Sequence, residues 1–148
     1  MSAQLVIVEI EVCTKIDDEV VNAFARLVPQ LSKTSEPPCQ NDLEEIISHC
    51  ACNVLLARVE GKIVGSLTLA MFPLPTGKRA WIEDVVVDES VRGFGVGEKL
   101  NLAAIEIANE EGARTIDLTS RPSREAANRL YKRMGFKERA TNVYRYES

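Results

Sequence analysis

With 148 residues, 45% of them hydrophobic and 27% charged, the chain has the size of one compact domain and too much apolar content to be mainly disordered. Eighteen basic residues against 22 acidic ones give a net charge of −4, which excludes a general coat for nucleic acid or an anionic membrane but leaves room for a local basic patch. Apolar runs such as Val85 to Val87 fall far short of the roughly 20 apolar residues that cross a bilayer.

Met1 to Glu11 alternates apolar and acidic residues and lacks the basic start, apolar block and small-residue cleavage site of a secretory leader, so a soluble cytoplasmic protein is expected. The alternation from Gln4 to Glu11 predicts a first strand. Asp17-Asp18-Glu19 then supplies an acidic start for a helix over Val20 to Leu31, with Val21, Phe24, Leu27 and Val28 on one stripe. After Ser35-Glu36-Pro37-Pro38, Asn41 or Asp42 caps a short helix carrying Leu43, Ile46 and Ile47. His49, Cys50 and Cys52 follow, but His49 is the single histidine and Cys13 and Cys39 stand apart, so the four ligands that zinc usually takes are missing and no metal is expected. Nor do four cysteines in a chain of this length imply a disulfide framework.

From Asn53 the period changes to two. Asn53 to Val59 and Lys62 to Ala70 flank Glu60-Gly61, a two-residue connection that closes an antiparallel hairpin. Pro73 to Lys78 reads as loop, Ala80 to Val87 as strand, and Gly97 to Glu111 as a helix with Leu100, Ala103, Ala104, Ile107 and Ala108 at helical spacing. A strand is predicted at Thr115 to Thr119, a helix from Pro122 to about Met134, and two last strands at Phe136 to Glu138 and Asn142 to Tyr146. The last of these is an edge strand of the kind that lies at dimer interfaces, which points to a homodimer. With no repeats and no linker, one domain over residues 1–148 is expected.

The chemistry concentrates where the strand ending in Val85-Val86-Val87 meets the helix through Arg92-Gly93-Phe94-Gly95-Val96-Gly97. Three glycines let backbone N–H groups point into one concavity, the helix dipole adds positive charge and Arg92 adds a full charge, a combination that suits pyrophosphate. A plain strand-to-helix turn that needs glycine for its geometry is the other reading. The Gly-Lys-Ser/Thr ending of a nucleotide P-loop is absent, and the third glycine comes one position too early for the dinucleotide fingerprint.

This turn resembles the acetyl-CoA-binding motif of the GNAT superfamily of N-acetyltransferases, in which Arg or Gln is followed by two residues, Gly, one residue, and Gly or Ala; Arg92, Gly95 and Gly97 fit it. Asn128-Arg129-Leu130-Tyr131-Lys132-Arg133-Met134-Gly135-Phe136 is similar to the second family signature, and the likeness runs from about Asn53 to the end of the chain. A weaker likeness, through Ile82 to Val87, Tyr131 and Arg145-Tyr146, is to the glucosamine-phosphate N-acetyltransferase branch. The resemblance implies an α+β fold with a mostly antiparallel sheet of six to seven strands, a splayed strand pair and about four helices. It implies transfer of an acetyl group from acetyl-CoA directly to a primary amine of a small molecule or protein, without metal.

By the same resemblance, backbone groups of Val85, Val86 and Val87 bond the pantetheine arm, and Arg92, Gly93, Phe94, Gly95, Val96 and Gly97 take the pyrophosphate. Tyr131 protonates the departing thiolate, a role open to a neutral phenol. Asn128, three residues earlier on the same helical face, reaches the same cosubstrate. An amine must lose a proton before it attacks, so a carboxylate base is expected. Alternation groups Glu83 with Trp81 and Val85, and Asp84 with Ile82 and Val86. Glu83 is the preferred base, because family members use an acid at this strand position, and Asp84 is the other candidate. Each of these residues also has a plain reading: a surface charge for Arg92, a packed ring for Tyr131, an ion pair for Glu83 or Asp84.

Charge offers a separate argument. Residues 121–139 hold seven basic residues against two acidic, a net of +5 that leaves −9 on the remainder, and Ser123-Arg124 suits the 3′-phosphate end of coenzyme A. A solvated helix face is the alternative. Two further functions compete with the enzyme: an acyl-CoA-binding or sensing module without turnover, which would need neither Glu83 nor Tyr131, and nucleic-acid binding by the basic helix, which gains nothing from the glycine turn. The expected partners are therefore acetyl-CoA and an amine, without nucleic acid or membrane.

Overall fold

In the computed structural model, which describes residues 5–148, strands β1 (Val8–Val12), β2 (Cys52–Val59), β3 (Lys62–Leu74), β4 (Gly77–Val87) and β5 (Thr115–Leu118) form one sheet in that order. The first three pairings are antiparallel and β4 with β5 is parallel, which gives the mixed, mostly antiparallel sheet that was expected. The described residues fall into two compact units, one ending at Leu118 and the other comprising Thr119–Ser148.

In the first unit, β1 is shorter than its alternation suggested. Its ladder starts at Val8 because the partner Val59 is the last residue of β2; Gln4 lies outside the described residues. Helix α1 (Asp18–Leu31) begins where the acidic triplet predicted, with the Asp17 carboxylate accepting from the Val20 N–H at 3.0 Å. Helix α2 (Gln40–Ser48) begins earlier than expected. Cys39 is its cap, and Asp42 at the third position reaches back to accept from the Cys39 N–H at 3.0 Å. The β2–β3 hairpin closes through Glu60 and Gly61, both at positive φ (50° and 78°), the geometry that matches strand twist. The segment read as a loop from Pro73 to Lys78 is mostly strand: β3 runs to Leu74, β4 starts at Gly77, and Pro75-Thr76 alone turn the chain. A proline is tolerated there because Pro73 lies at the exposed end of its strand.

Both faces of the sheet are covered. Cross-strand register puts Val54, Thr68 and Glu83 on one face with Leu56, Ser66 and Val86. Val54, Leu56 and Val86 join Val20, Ala23, Leu27 and Leu43 of α1 and α2 in one core. On the other face lies helix α3 (Val96–Glu110), whose Val96 and Leu100 approach so closely that a Cβ on Gly65 would sit 3.2 Å from each and 3.0 Å from the Val86 carbonyl. Leu100 is fully buried, and its truncation to alanine would cost about 2–5 kcal/mol.

The second unit contains helix α4 (Glu125–Arg133), within which Tyr131 meets Phe136 edge to face at 5.8 Å between ring centroids. The two strands expected at Phe136 to Glu138 and Asn142 to Tyr146 are not formed among the described residues, so the sheet has five strands rather than six to seven. Alternation states what a segment does beside a partner edge, and a strand needs the ladder as well as the propensity. Among the described residues, no helix is long and apolar enough to cross a membrane.

Candidate functional site

The site is built where β4 outlives its neighbour. Parallel pairing runs from Arg79 with Thr115 to Ile82 with Leu118, where β5 ends, while β4 continues to Val87. The expected splay is therefore present: among the described residues, Glu83 to Val87 have no ladder on the β5 side. Main-chain polar groups released in this way are available to a ligand.

Within that stretch the backbone departs from alternation. Thr68 pairs with Glu83 and Ser66 with Val86, so two residues, Asp84 and Val85, oppose the single Leu67. Asp84 takes φ 49°, the left-handed conformation that aspartate tolerates better than most residues, and the result is a β-bulge. The bulge corrects the facial assignment made by strict alternation. Glu83 does share a face with Trp81, but beyond the bulge it shares it with Val86, not Val85. Glu83 and Asp84 are both exposed. The Val86 side chain is buried in the α1/α2 core, which leaves its main chain as the part that could meet a ligand.

After β4 the chain passes through a 3₁₀ turn (Glu89–Val91) and reaches α3 through Arg92 to Gly95. Gly93 and Gly95 lie at φ 90° and 79°, and a Cβ at either would meet nothing within 4 Å. Conformation therefore dictates glycine here, and the surrounding space stays open. The first N–H groups of α3 have no acceptor within the helix, and such donors, together with the dipole, are of the kind that suits an anion. Arg92 and Phe94 are exposed, whereas Val96 is buried. None of the ion pairs among the described residues involves Arg92. One turn into the helix, the buried Asn101 donates its amide to the Gly97 carbonyl at 2.8 Å.

The stem of this turn rests on a residue that the sequence marked only as the end of a strand. Asp88 is 6% exposed, and its Oδ1 accepts from the Ser90 N–H at 3.0 Å and the Ser90 hydroxyl at 2.8 Å. Its Oδ2 accepts from Arg26 Nε at 3.3 Å. The Ser90 N–H foremost, with help from the Ser90 hydroxyl and Arg26, holds the carboxyl below the usual aspartate range against the opposing effect of burial.

The remaining predicted residues lie in the second unit, each described there by itself. Asn128 and Tyr131 are three residues apart on α4. The Asn128 amide donates to the Arg121 carbonyl at 3.0 Å. Tyr131 is buried, and burial pushes its phenol above the ordinary tyrosine range, slightly offset by Arg124. Among the described residues no group of three or more His, Cys, Asp or Glu could hold a metal ion.

The model of the acetyltransferase (GNAT) family matches residues 18–136. Over 80 residues, 52% of this chain and 52% of the relative, the sequence is 41% identical to glucosamine 6-phosphate N-acetyltransferase of Trypanosoma brucei brucei. In three curated relatives the aligned stretch spans between 26% and 52% of their length. An aminoglycoside acetyltransferase from an uncultured soil metagenomic sample, solved with trehalose, superposes with a TM-score of 0.83 at 23% identity over 95% of each chain. An aminoglycoside N-acetyltransferase in complex with CoA does so with 0.80 at 16% identity over 99% of each chain. These two likenesses show a shared fold.

Proposed function

The chain belongs to the acetyltransferase (GNAT) family, and on that footing we propose that it moves an acetyl group from acetyl-CoA directly to a primary amine. Acetyl-CoA is the acyl donor of this family, and its thioester would supply the acyl group. The observation that carries the reading is the open turn of left-handed glycines at the N-terminus of α3, placed directly after the end of β4 that has lost its neighbour.

In this reading Arg92 and the backbone N–H groups of Gly93 to Gly97 hold the pyrophosphate. Main-chain groups of Val85 to Val87 orient the pantetheine arm and the acyl carbonyl, the logic of an oxyanion site. Glu83 removes a proton from the amine, directly or through water, with Asp84 as the other candidate. Both carboxylates are exposed on β4, as an acceptor-side base must be. Tyr131 keeps its proton through neutral pH and delivers it to the departing thiolate, and Asn128 contacts the same cosubstrate. Residues 1–148 act as one transferase domain. A cytoplasmic place of action goes with the reading.

Similar proteins name three acceptor chemistries, an amino sugar phosphate, an aminoglycoside and an α-amine. Calorimetry with acetyl-CoA on wild type and Arg92→Glu tests the cosubstrate half of the reading. Thiol release over a panel holding glucosamine 6-phosphate, an aminoglycoside, a polyamine and amino acids tests the acceptor half. Binding that Arg92→Glu weakens, together with amine-stimulated thiol release, is expected. Binding with no release from any amine would favour an acyl-CoA sensor, and no binding at all would remove the assignment.

A further inference from the structure

Beneath the glycine turn, three side chains tie its stem to the first helix and to the sheet. Arg26, on the flank of α1, donates from Nε to Asp88 Oδ2 at 3.3 Å and from Nη2 to the Ile63 carbonyl at 2.6 Å. Gln30, one helical turn later, donates to the Arg26 carbonyl at 3.2 Å and accepts from the Glu89 N–H at 2.9 Å. Asp88 completes the set, since its own N–H donates to the Val64 carbonyl at 2.7 Å, its carboxylate caps the 3₁₀ turn through Ser90, and its carbonyl accepts from the Val91 N–H at 3.0 Å. Helix α1 has no need of this network for its own packing. Its apolar stripe of Val20, Ala23 and Leu27 is already buried in the core. What the network adds is a fixed point immediately before Arg92.

We propose that Arg26, Gln30 and Asp88 form a positioning clamp that holds the Arg92 to Gly97 turn in the geometry that receives a pyrophosphate, and that couples occupancy of the turn to helix α1. The proposal rests on the reading of that turn as the acetyl-CoA site. A loop with two glycines has many conformations to lose on binding, so fixing its stem in advance lowers the entropy that the ligand must overcome. Coupling is reciprocal: whatever α1 does for the affinity of the turn, a ligand in the turn must do for the order of α1. None of the three clamp residues touches the reacting atoms, so they are positioning residues.

Arg58 provides the control. It too is pinned by three groups, Glu11 of β1, Glu19 in the first turn of α1 and the Gly61 carbonyl, so it ties α1 to the β2–β3 hairpin without any tie to the glycine turn. The test titrates CoA calorimetrically into full-length wild type, Arg26→Gln, Gln30→Ala, Asp88→Asn, the Arg26→Gln/Asp88→Asn double variant and Arg58→Gln, and follows amide exchange over residues 18–31 with and without CoA. Arg26→Gln is expected to weaken CoA about fivefold or more, Arg58→Gln by less than about twofold, and the double variant by less than the product of the singles. Added CoA should slow exchange in α1 of wild type and of Arg58→Gln but not of Arg26→Gln. If Asp88→Asn does not fold, Arg26→Gln and Gln30→Ala carry the comparison alone. Equal losses of affinity in Arg26→Gln and Arg58→Gln, or CoA-induced protection of α1 that survives Arg26→Gln, would overturn the clamp and leave the CoA site standing. A wild-type protein that binds no CoA would overturn the site itself, and the clamp with it.

Discussion

Tyr131 is buried and its phenol is held above its ordinary pKa, properties that a packed ring and the proposed acid share, so a variant that keeps the ring is what separates the two roles. As an acid for the departing thiolate it acts only in the transition state, so Tyr131→Phe should leave CoA affinity intact and lower turnover by about 10²- to 10⁴-fold. Phenylalanine keeps the ring and its contact with Phe136, so a purely structural tyrosine would leave turnover unchanged. The pH dependence follows the direction of the shift. The folded state keeps the phenolic proton to higher pH than the unfolded chain does, so stability is full below an ordinary tyrosine pKa of about 10 and falls as pH rises through the folded value. Urea midpoints measured from pH 8 to 11 should decline in wild type and decline less in Tyr131→Phe.

At the scale of elements, the bulge in β4 makes its own prediction, because Asp84 holds a left-handed φ of 49° where glycine would rest without strain. Asp84→Gly should raise stability by about 0.5–1 kcal/mol, and Asp84→Val should lower it by about 1–2 kcal/mol; thermal denaturation of the pair reads the sign directly. The same bulge shows where sequence reasoning ends. Glu60-Gly61 announced its hairpin and the glycines at 93 and 95 announced the turn, because in both places the backbone needs a residue type that the sequence prints. Nothing prints a bulge at an aspartate inside an apolar run, and one inserted residue regrouped every side chain beyond it. Asp88 was equally silent. Its partner Arg26 lies 62 positions away, and the pairing exists only once α1 has packed on the sheet. The last two strands failed for the opposite reason: their alternation is plain, but the ladder they require is not formed among the described residues.

Over the whole molecule, acid stability should be set by carboxylates with a native partner. Asp88, held chiefly by the Ser90 N–H, Asp42, held by the Cys39 N–H, and Glu19, held by Arg58, all have depressed pKa values. For each, the unfolded chain binds a proton more readily than the folded one, so the stabilisation is present above the ordinary carboxylate range of about 4 and is lost as pH falls through the lower folded values. Asp88→Asn should flatten the acid limb of stability between pH 5 and 2 more than Asp42→Asn, because Asp88 is the one that is buried; identical limbs for the two variants would contradict this.

The C-terminal segment yields the last expectation. Val143, Tyr144 and Tyr146 are 77%, 87% and 92% exposed, in a stretch whose Asn-Val-Tyr-Arg-Tyr order has the composition of a strand. Left so, it offers unpaired backbone groups and aromatic surface to water. A second copy could satisfy both at once, because a two-fold axis brings the same segment of each chain into an antiparallel ladder without a new surface. We propose this homodimer on that ground. Light scattering at micromolar concentration should return twice the chain mass for wild type. Val143→Asp, a charge placed in the middle of the ladder, should return the monomer mass with the thermal midpoint of the first unit unchanged. A wild-type monomer would assign these residues to solvent and remove the second chain from the function.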